Sequence, residues 1–401
     1  MASTIRRPKD TWVYFAAKFN KAMDDFGGWE NKTVIDENTA LISGKDAGAF
    51  AQFFTQKNEQ VLMKVAIAYT SIDQAIKNME LELPHWDFNR VVKESQDEWN
   101  EWLGRIDIEG GTKAQQIKFY TDVWHSLQGR RTVSDVDGSY CDMTGDKPII
   151  RQVELDQNGQ PKYPQQNFDS FYGSHWAANI FWSLAYPEVM DGLVNSMVRM
   201  YEHGGLIPRG PSGGNYTYVM IGSSSTPLIV SAYNKGIRNY DVNKAYEGIR
   251  KNATIDGIRI RAGYDHENPP LLDQMQFYFN NGYVALDLPN RGFHKKASTS
   301  MTLQYAYQDW CVGQMAKVLG KNDDYELFNK RAFNYNNVFD PEVGYMRARL
   351  KDGSWKPDFK PVEEGFEADG FCEGNPAIYT NYVPQDPAGI IALKGGGTKL
   401  Y

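Results

Sequence analysis

The sequence predicts a mainly α-helical protein with a smaller β part, and three observations support this fold class. Apolar and polar residues alternate over residues 11–83, as they do in half-buried strands. From about Pro84 the apolar spacing becomes helical, with about eight helical runs along the rest of the chain. Long loops rich in Gly, Pro, Asn and aromatic residues separate these runs, and such loops are uncommon unless they are functional. Helices alternating with long loops favour a helical toroid whose site lies on one face.

The β part contains predicted strands at residues 12–15, 39–42 and 60–69, with Gly, Asn and Asp turns between them. So few strands cannot close a β-sandwich. The first predicted strand also begins almost at Met1, with no segment before it to pair with. We therefore expect β-sheet structure in residues 11–83 that does not form a closed sandwich by itself.

Helices are predicted along the remaining chain. Trp99, Trp102 and Leu103 have helical spacing ahead of a stop at Gly110, and a second helix carries Ile117 and Trp124. Asp241 is a predicted N-cap and Gly320 a predicted C-terminal stop. Further helices are expected at residues 170–185, 188–203, 223–235, 242–252, 298–319 and 323–334.

Composition argues against several functional classes. The chain has 43 Lys and Arg against 50 Asp and Glu, a net charge of −7, and the charges are scattered. No basic patch indicates a nucleic-acid partner, and no apolar run of about 18 residues indicates a membrane span. Aromatic residues make up 13% of the chain, and many lie beside Gly, Asn or Asp. A large core explains most of them, and the rest are candidates for stacking on sugar rings.

Cysteine and histidine give no metal motif. Cys141, Cys311 and Cys372 are far apart, and the six histidines form no H-E-x-x-H pattern. The N-terminal residues MASTIRRPKDTW contain no apolar segment of the kind found in signal peptides. Taken alone, this start indicates a cytoplasmic protein.

The segment 370–386, GFCEGNPAIYTNYVPQD, carries the strongest candidate for catalysis. Glu373 lies on a Gly-bounded turn among Phe371, Tyr379 and Tyr382. An apolar environment favours the protonated form of a carboxyl group, which is the form that a general acid needs. Against this, a lone Glu in a loop is most often a solvated surface residue. The residues alone thus make Glu373 a candidate general acid.

Four other segments are weaker candidates. Asp135 and Asp137 suit calcium or sugar hydroxyls, although an Asx turn at Asp137 is the simpler interpretation. His175 and Trp176 open a helix and can offer a hydrogen bond and a stacking face, or can belong to the core. Arg209 lies in a Gly-rich loop and can bind a polar substrate. The fourth segment contains Asp309, which is most simply a buried residue capping a neighbouring turn.

Seven segments follow one another in a distinctive order along the chain. They are Phe119–His125, Ser134–Tyr140, Gly205–Pro208, Met220–Gly222, Ser300–Cys311, Glu373–Asn375 and Val383–Asp386. Read in order, this set resembles glycoside hydrolase family 92, the exo-α-mannosidases. The resemblance rests on the ordered set rather than on any single motif, and it runs from about residue 10 to the last residue.

The resemblance implies a fold and an organisation. The family has a β-sandwich, a helical linker and an (α/α)6 barrel. It therefore implies the last strands of a sandwich at 1–83, a linker at 84–110 and a C-terminally incomplete catalytic domain at 111–401. The family is secreted or periplasmic, which fits a chain that is an internal portion of a longer protein. In that case the missing signal peptide is uninformative.

The resemblance also implies an activity. The family removes terminal mannose from an oligosaccharide or glycoprotein glycan by an inverting, calcium-dependent reaction. In the family, calcium grips the sugar hydroxyls and helps to distort the ring, but the resemblance leaves the ligands unknown. The E-G-N glutamate is the general acid, which corresponds to Glu373. The resemblance gives pocket or supporting roles to Trp176, His175, Asp135, Asp137, Asn375, Tyr379 and Asp386.

Three departures from the family pattern bear on this expectation. Trp176 is followed by Ala177, where the family has a sugar-binding Asp. The family's E-G-N-A-W-Q-Y reads E-G-N-P-A-I-Y over residues 373–379, so a Trp and a Gln are replaced. The family's base lies in a G-N-D-D-type segment, which does not occur before Tyr401. We therefore expect the isolated 401-residue chain to be inactive.

Two alternatives stay open. The first is a carbohydrate-binding relative that has lost catalysis. The second is an (α/α)6 enzyme acting on another sugar or on a uronic acid. A lyase of that second kind would need a pair drawn from His125, His175, Tyr172 and Arg209, although their spacing does not require one.

Overall fold

The computed structural model describes residues 12–35, 42–261, 270–289, 294, 296–363 and 366–396. These residues fall into two compact units, one of Trp12–Gly104 and one that starts at Arg105. The first three residues of the predicted strand at 39–42 lie outside the described residues. The predicted domain boundaries at residues 83 and 110 stay predictions.

The first unit contains two small antiparallel sheets and two helices. One sheet pairs the first strand with the fifth, from Tyr14 opposite Ala68 to Phe19 opposite Met63. The five strands are β1 Tyr14–Phe19, β2 Asp25–Glu30, β3 Thr33–Ile35, β4 Ala47–Gln52 and β5 Met63–Ala68. The other sheet has the order β3-β2-β4.

Two helices follow these strands, α1 Ile72–Glu82 and α2 Phe88–Leu103. The first lies where the sequence predicts β structure, which corrects that expectation. Ser71 caps its N-terminus by accepting a hydrogen bond from the backbone N–H of Gln74 at 3.0 Å. Ala75 and Met79, four residues apart, are its buried apolar residues. Ser71 as an N-cap followed by Ala75 and Met79 is a helical pattern. It was overlooked because the residues before it alternate as they do in strands.

The second unit is mainly helical. Asp241 caps the N-terminus of one helix by accepting from the N–H of Lys244 at 2.9 Å, as predicted. Thr112 and Gln115 form a capping box at another. The helices are α3 Lys113–Gln128, α4 Ala178–Ala185, α5 Pro187–Gly204, α6 Ser225–Asn234, α7 Val242–Asn252, α8 Leu272–Asn281, α9 Ser298–Val318, α10 Asn322–Arg331, α11 Pro376–Tyr379 and α12 Pro387–Leu393.

Short strands and 3-10 turns shape the loops of this unit. Each of these strands has two to four residues and pairs with one antiparallel neighbour. The 3-10 turns are Ser174–Trp176, Ile258–Ile260 and Asn334–Val338. The strands are β6 Arg131–Thr132, β7 Ser139–Asp142, β8 Ile149–Gln152, β9 Gln166–Asn167, β10 Pro211–Ser212, β11 Asn215–Tyr216, β12 Phe339–Asp340 and β13 Tyr345–Met346.

Helix α9 lies at the centre of the second unit. It is buried on nearly all sides along its length and packs against α10 and α6. Met301 and Tyr305 of this helix share a core cluster with Phe371, Tyr379 and other residues of the segment 370–386. That segment is therefore held on the packed interior of the unit.

Two further observations concern the described residues as a whole. None of their helices is long and apolar enough to cross a membrane. All three cysteines carry free thiols, and Cys311 and Cys372 are buried.

Candidate active site

Glu373 lies on a tight turn that presents its side chain outward. Its backbone φ is +48°, a left-handed conformation that costs a residue other than Gly about 1 kcal/mol or more. Phe371 and Cys372 before it are fully buried, whereas 40% of the Glu373 side chain is exposed. The surrounding contacts hold this strained turn in place.

Two hydrogen bonds made by backbone groups fix the turn, one on each side of Glu373. The N–H of Cys372 donates to Ser300 Oγ of α9 at 3.0 Å. The carbonyl oxygen of Gly374 accepts from the N–H of Ala368 at 2.9 Å. The carboxyl group is thus carried by a rigid element, which a positioned acid requires.

Asn375 and Tyr379 complete the support of this turn. Asn375 caps α11 by accepting from the N–H of Ile378 at 3.2 Å. The hydroxyl of Tyr379 donates to the carbonyl oxygen of Cys372 at 2.6 Å and also contacts the hydroxyl of Tyr172. Both predicted residues therefore have a demonstrated local role in shaping the turn, and their contact with a substrate stays a prediction.

His175 and Trp176 lie in an aromatic cluster, which we define as His175, Trp176, Tyr307 and Tyr382. Nε2 of His175 lies 2.9 Å from the hydroxyl of Tyr382, and its ring centroid lies 5.0 Å from that of Tyr307. Burial lowers the pKa of His175 to about 4, so its ring is neutral at pH 7. The Trp176 side chain is 63% exposed and offers a flat apolar face.

The aromatic cluster is connected to the Glu373 turn. The ring centroids of Tyr379 and Tyr382 are 6.2 Å apart, and Tyr379 holds the carbonyl oxygen of Cys372. The structure thus brings Glu373, Asn375, Tyr379, His175 and Trp176 into one continuous set of contacts. A carboxyl group joined in this way, through Tyr379 and Tyr382, to an exposed aromatic face is suited to cleaving sugars.

Asp386 has a structural role at the end of the same segment. Its Oδ1 accepts from the N–H of Gly389 at 2.9 Å and caps α12. Its Oδ2 accepts from the hydroxyl of Tyr335 at 2.7 Å. Both oxygens are thus engaged within the protein, and the predicted role in substrate binding stays a prediction.

Asp135 and Asp137 lie in the turn that leads into β7. Asp137 Oδ1 accepts from the N–H of Ser139 at 3.0 Å and from its hydroxyl at 2.7 Å, which is an Asx turn. Asp135 is buried, and its backbone N–H donates to the carbonyl oxygen of Ser139 at 2.8 Å. These hydrogen bonds shape the turn, and the predicted substrate contacts stay predictions.

Arg209 does not serve a substrate. Its guanidinium group is buried, and all five of its N–H donors bond to backbone carbonyl oxygens. The five distances run from 2.6 to 3.0 Å. Arg209 therefore holds the loop around it, which corrects the expectation that it could bind a polar substrate. The acceptors belong to Tyr218, Met220, Gly222, Ile258 and Arg261.

Asp309 is buried, as predicted, but it does not cap a turn. Its Oδ1 pairs with Arg259 at 2.6 Å, and neither side chain is exposed. Its Oδ2 accepts from the hydroxyl of Tyr278 at 3.3 Å. A buried carboxylate is stabilised by such pairing, so Asp309 belongs to the core.

Sequence reasoning missed two residues beside Glu373. Nδ1 of the buried His294 lies 3.1 Å from Oε1 of Glu367, and its Nε2 lies 3.7 Å from Oε1 of Glu373. Burial lowers the pKa of His294 and raises that of Glu367. No local motif marks either residue, because they meet Glu373 only through the tertiary fold.

The described residues include one cluster of possible metal ligands, and it does not suit calcium. Among them, one group of three possible ligands lies close enough together to share an ion: His294, Glu367 and Cys372. Calcium prefers six to eight oxygen ligands, whereas this group offers an imidazole, a thiol and one carboxylate. We assign no metal to this group and no step of the reaction to calcium.

Two family models match the chain. The glycosyl hydrolase family 92 catalytic domain matches residues 74–401, and the family's N-terminal domain matches residues 2–68. A curated relative from Arthroderma benhamiae, named as an uncharacterized secreted glycosidase, is 25% identical over 98% of this chain and 47% of its own length.

Solved structures show the same likeness. A family GH92 α-mannosidase from Bacteroides thetaiotaomicron, in complex with mannoimidazole, is 30% identical with a TM-score of 0.81. The alignment covers 96% of this chain and 48% of that one. A family GH92 inverting mannosidase from the same organism is 26% identical, with a TM-score of 0.81 over 96% of this chain and 49% of that one.

These comparisons confirm the predicted fold class, a mainly α (α/α)6-type architecture with an N-terminal β part. The chain spans about half the length of the relatives it matches. Both family models together cover almost all of its residues. The chain belongs to glycosyl hydrolase family 92.

Proposed function

We propose that the full-length protein is an inverting exo-α-mannosidase that removes terminal mannose from an oligosaccharide or glycoprotein glycan. The observation that carries the proposal is the Glu373 turn, which exposes 40% of the Glu373 side chain and is connected to the aromatic cluster through Tyr379. The similar structures titled as mannosidases, one of them inverting and one bound to mannoimidazole, support the choice of sugar and stereochemistry.

In this proposal Glu373 is the general acid. Its protonated carboxyl group donates a proton to the glycosidic oxygen as the bond to the sugar breaks. Water attacks the opposite face of the sugar, activated by a base roughly 6.5–9.5 Å from the acid, a separation that leaves room for the water. The exposed Trp176 packs on the sugar, and the His175–Tyr382 pair fixes the shape of that wall.

We extend the proposal to calcium dependence and to secretion, and both rest on similarity. Calcium dependence rests on the family resemblance, because the cluster of His294, Glu367 and Cys372 among the described residues is not oxygen-rich. Secretion rests on the name of the relative from Arthroderma benhamiae. Neither part enters the role proposed for Glu373.

Mannose release by the full-length protein tests the function. We expect terminal mannose from α-mannosides, released first as the β-anomer and observed by NMR during early turnover. A chelator should abolish the release, and added calcium should restore it. The α-anomer appearing first would contradict the inverting mechanism.

One observation favours a second candidate, a carbohydrate-binding relative without catalysis. Ala177 and Ile378 are exposed beside the proposed pocket, and neither offers a polar group to a sugar. Calorimetric binding of an oligosaccharide without any sugar release would support this candidate. Release of a sugar other than mannose from a glycoside panel would instead change the substrate.

A further inference from the structure

Three side chains beside the Glu373 turn lie in a row. The His294 ring lies between two carboxyl groups, with Nδ1 3.1 Å from Glu367 and Nε2 3.7 Å from Glu373. The side chains of His294, Glu367 and Glu373 are 4%, 18% and 40% exposed, respectively. Each ring nitrogen therefore has a different carboxyl group near it, and exposure increases towards the proposed acid.

Backbone hydrogen bonds hold this row together. The carbonyl oxygen of His294 accepts from the N–H of Ala297 at 3.2 Å, at the start of α9. Ala368, next to Glu367, donates to the carbonyl oxygen of Gly374 at 2.9 Å. His294 and Glu367 are thus anchored to the elements that carry Glu373.

We propose that Glu367 and His294 are positioning residues for the general acid. Nδ1 of His294 accepts a hydrogen bond from the protonated carboxyl group of Glu367, so Nε2–H donates to Oε1 of Glu373 and leaves the proton on the other oxygen of Glu373 for the glycosidic oxygen. This inference rests on the proposed role of Glu373. A movement of less than about 1 Å by the half-exposed Glu373 brings its carboxyl group within hydrogen-bond distance. Catalytic hydrogen bonds are often long before substrate binds.

The charges around His294 suit this arrangement. The groups that face it are Glu373, Glu367, Cys372 and the buried Arg209, with the Lys296–Asp369 ion pair nearby. Burial lowers the pKa of His294, and Arg209 adds to this effect while Glu373 opposes it. Burial raises the pKa of Glu367 and so favours its protonated form, and a neutral ring can accept from Glu367 at one nitrogen and donate to Glu373 at the other.

Leaving-group dependence in the full-length protein tests the proposal. An alkyl α-mannoside needs protonation of its leaving group, whereas a dinitrophenyl α-mannoside needs almost none. For His294→Gln and Glu367→Ala we expect about a tenfold or greater fall in kcat on the alkyl substrate and little change on the dinitrophenyl substrate. His85→Gln is the matched control, because His85 also pairs with a glutamate, Glu94, at 3.3 Å.

Equal losses on both substrates would overturn the proposal, since a merely structural role moves both rates together. Nitrogen NMR of the labelled imidazole, which requires no turnover, gives a second readout. We expect the Nε2–H form of His294 at about pH 7, and the Nδ1–H form would overturn the proposal. Unchanged turnover of the alkyl substrate by Glu373→Gln would instead refute the proposed function.

Discussion

Glu373 and Asp137 are both carboxylates in turns next to glycine, yet the fold uses them differently. Asp137 closes an Asx turn with Ser139, whereas Glu373 points outward from a strained turn. Sequence reasoning found Glu373 from its aromatic neighbours and from the family resemblance. It could not find His294 or Glu367, because their contacts depend on chain segments brought together only by folding.

Arg209 illustrates the same limit at a single residue. The Gly-rich loop around it suggested that Arg209 binds a polar substrate. Its guanidinium group instead donates to backbone carbonyl oxygens of the protein. A side chain that bonds to carbonyl groups leaves no local pattern, because any residue can supply the acceptor.

The pH dependence of stability should report the burial of His175. Its pKa falls from 6.5 to about 4 on folding, so the unfolded chain binds more protons between these values. Stability from this residue is therefore complete above the unfolded pKa and is lost as the pH falls from 6.5 towards 4, by up to about 3 kcal/mol. Melting temperatures at pH 7.5 and about pH 4.5 check this for the wild type and His175→Gln.

We expect His175→Gln to lose less stability than the wild type over this interval. His125→Gln, which changes an exposed histidine in α3, is the control and should behave as the wild type does. An identical fall for His175→Gln and the wild type would show that His175 does not carry the effect.

At the scale of elements, helical periodicity located most of the helices in the second unit. Helix α7 has the predicted bounds, and α9 ends one residue before its predicted end. Helix α8 was not predicted. It lies between the predicted helices at 242–252 and 298–319, where the sequence indicated a loop. Its buried side chains are Gln274, Met275 and Tyr278, a set in which polar residues blur the apolar period.

Helix α12 gives a prediction at this scale. Asp386→Ala removes the acceptors for the N–H of Gly389 and for the hydroxyl of Tyr335, so we expect the free energy of unfolding to fall by about 1–3 kcal/mol. Asp386→Asn keeps an acceptor at the same position and should cost less. Chemical denaturation of the two variants and the wild type measures the difference. Equal stability of Asp386→Ala and the wild type would rule out a capping role.

At the scale of the whole molecule, the change from period two to helical spacing predicted the fold class. The ordered motifs then gave the family, which the two family models and the solved structures establish. The packing of side chains around the acid could not be predicted from the sequence. The aromatic cluster joins residues from α9, a 3-10 turn and the segment 370–386, which are far apart along the chain. Similarity over about half of each relative's length leaves the activity to experiment.

The most direct test of the central claim is the activity of Glu373→Gln in the full-length protein. On an alkyl α-mannoside we expect kcat to fall by about 100-fold or more, because the glutamine cannot donate a proton to the leaving group. On a dinitrophenyl α-mannoside, most of the activity should remain. Normal turnover of the alkyl mannoside by Glu373→Gln would contradict the assignment of Glu373 as the general acid.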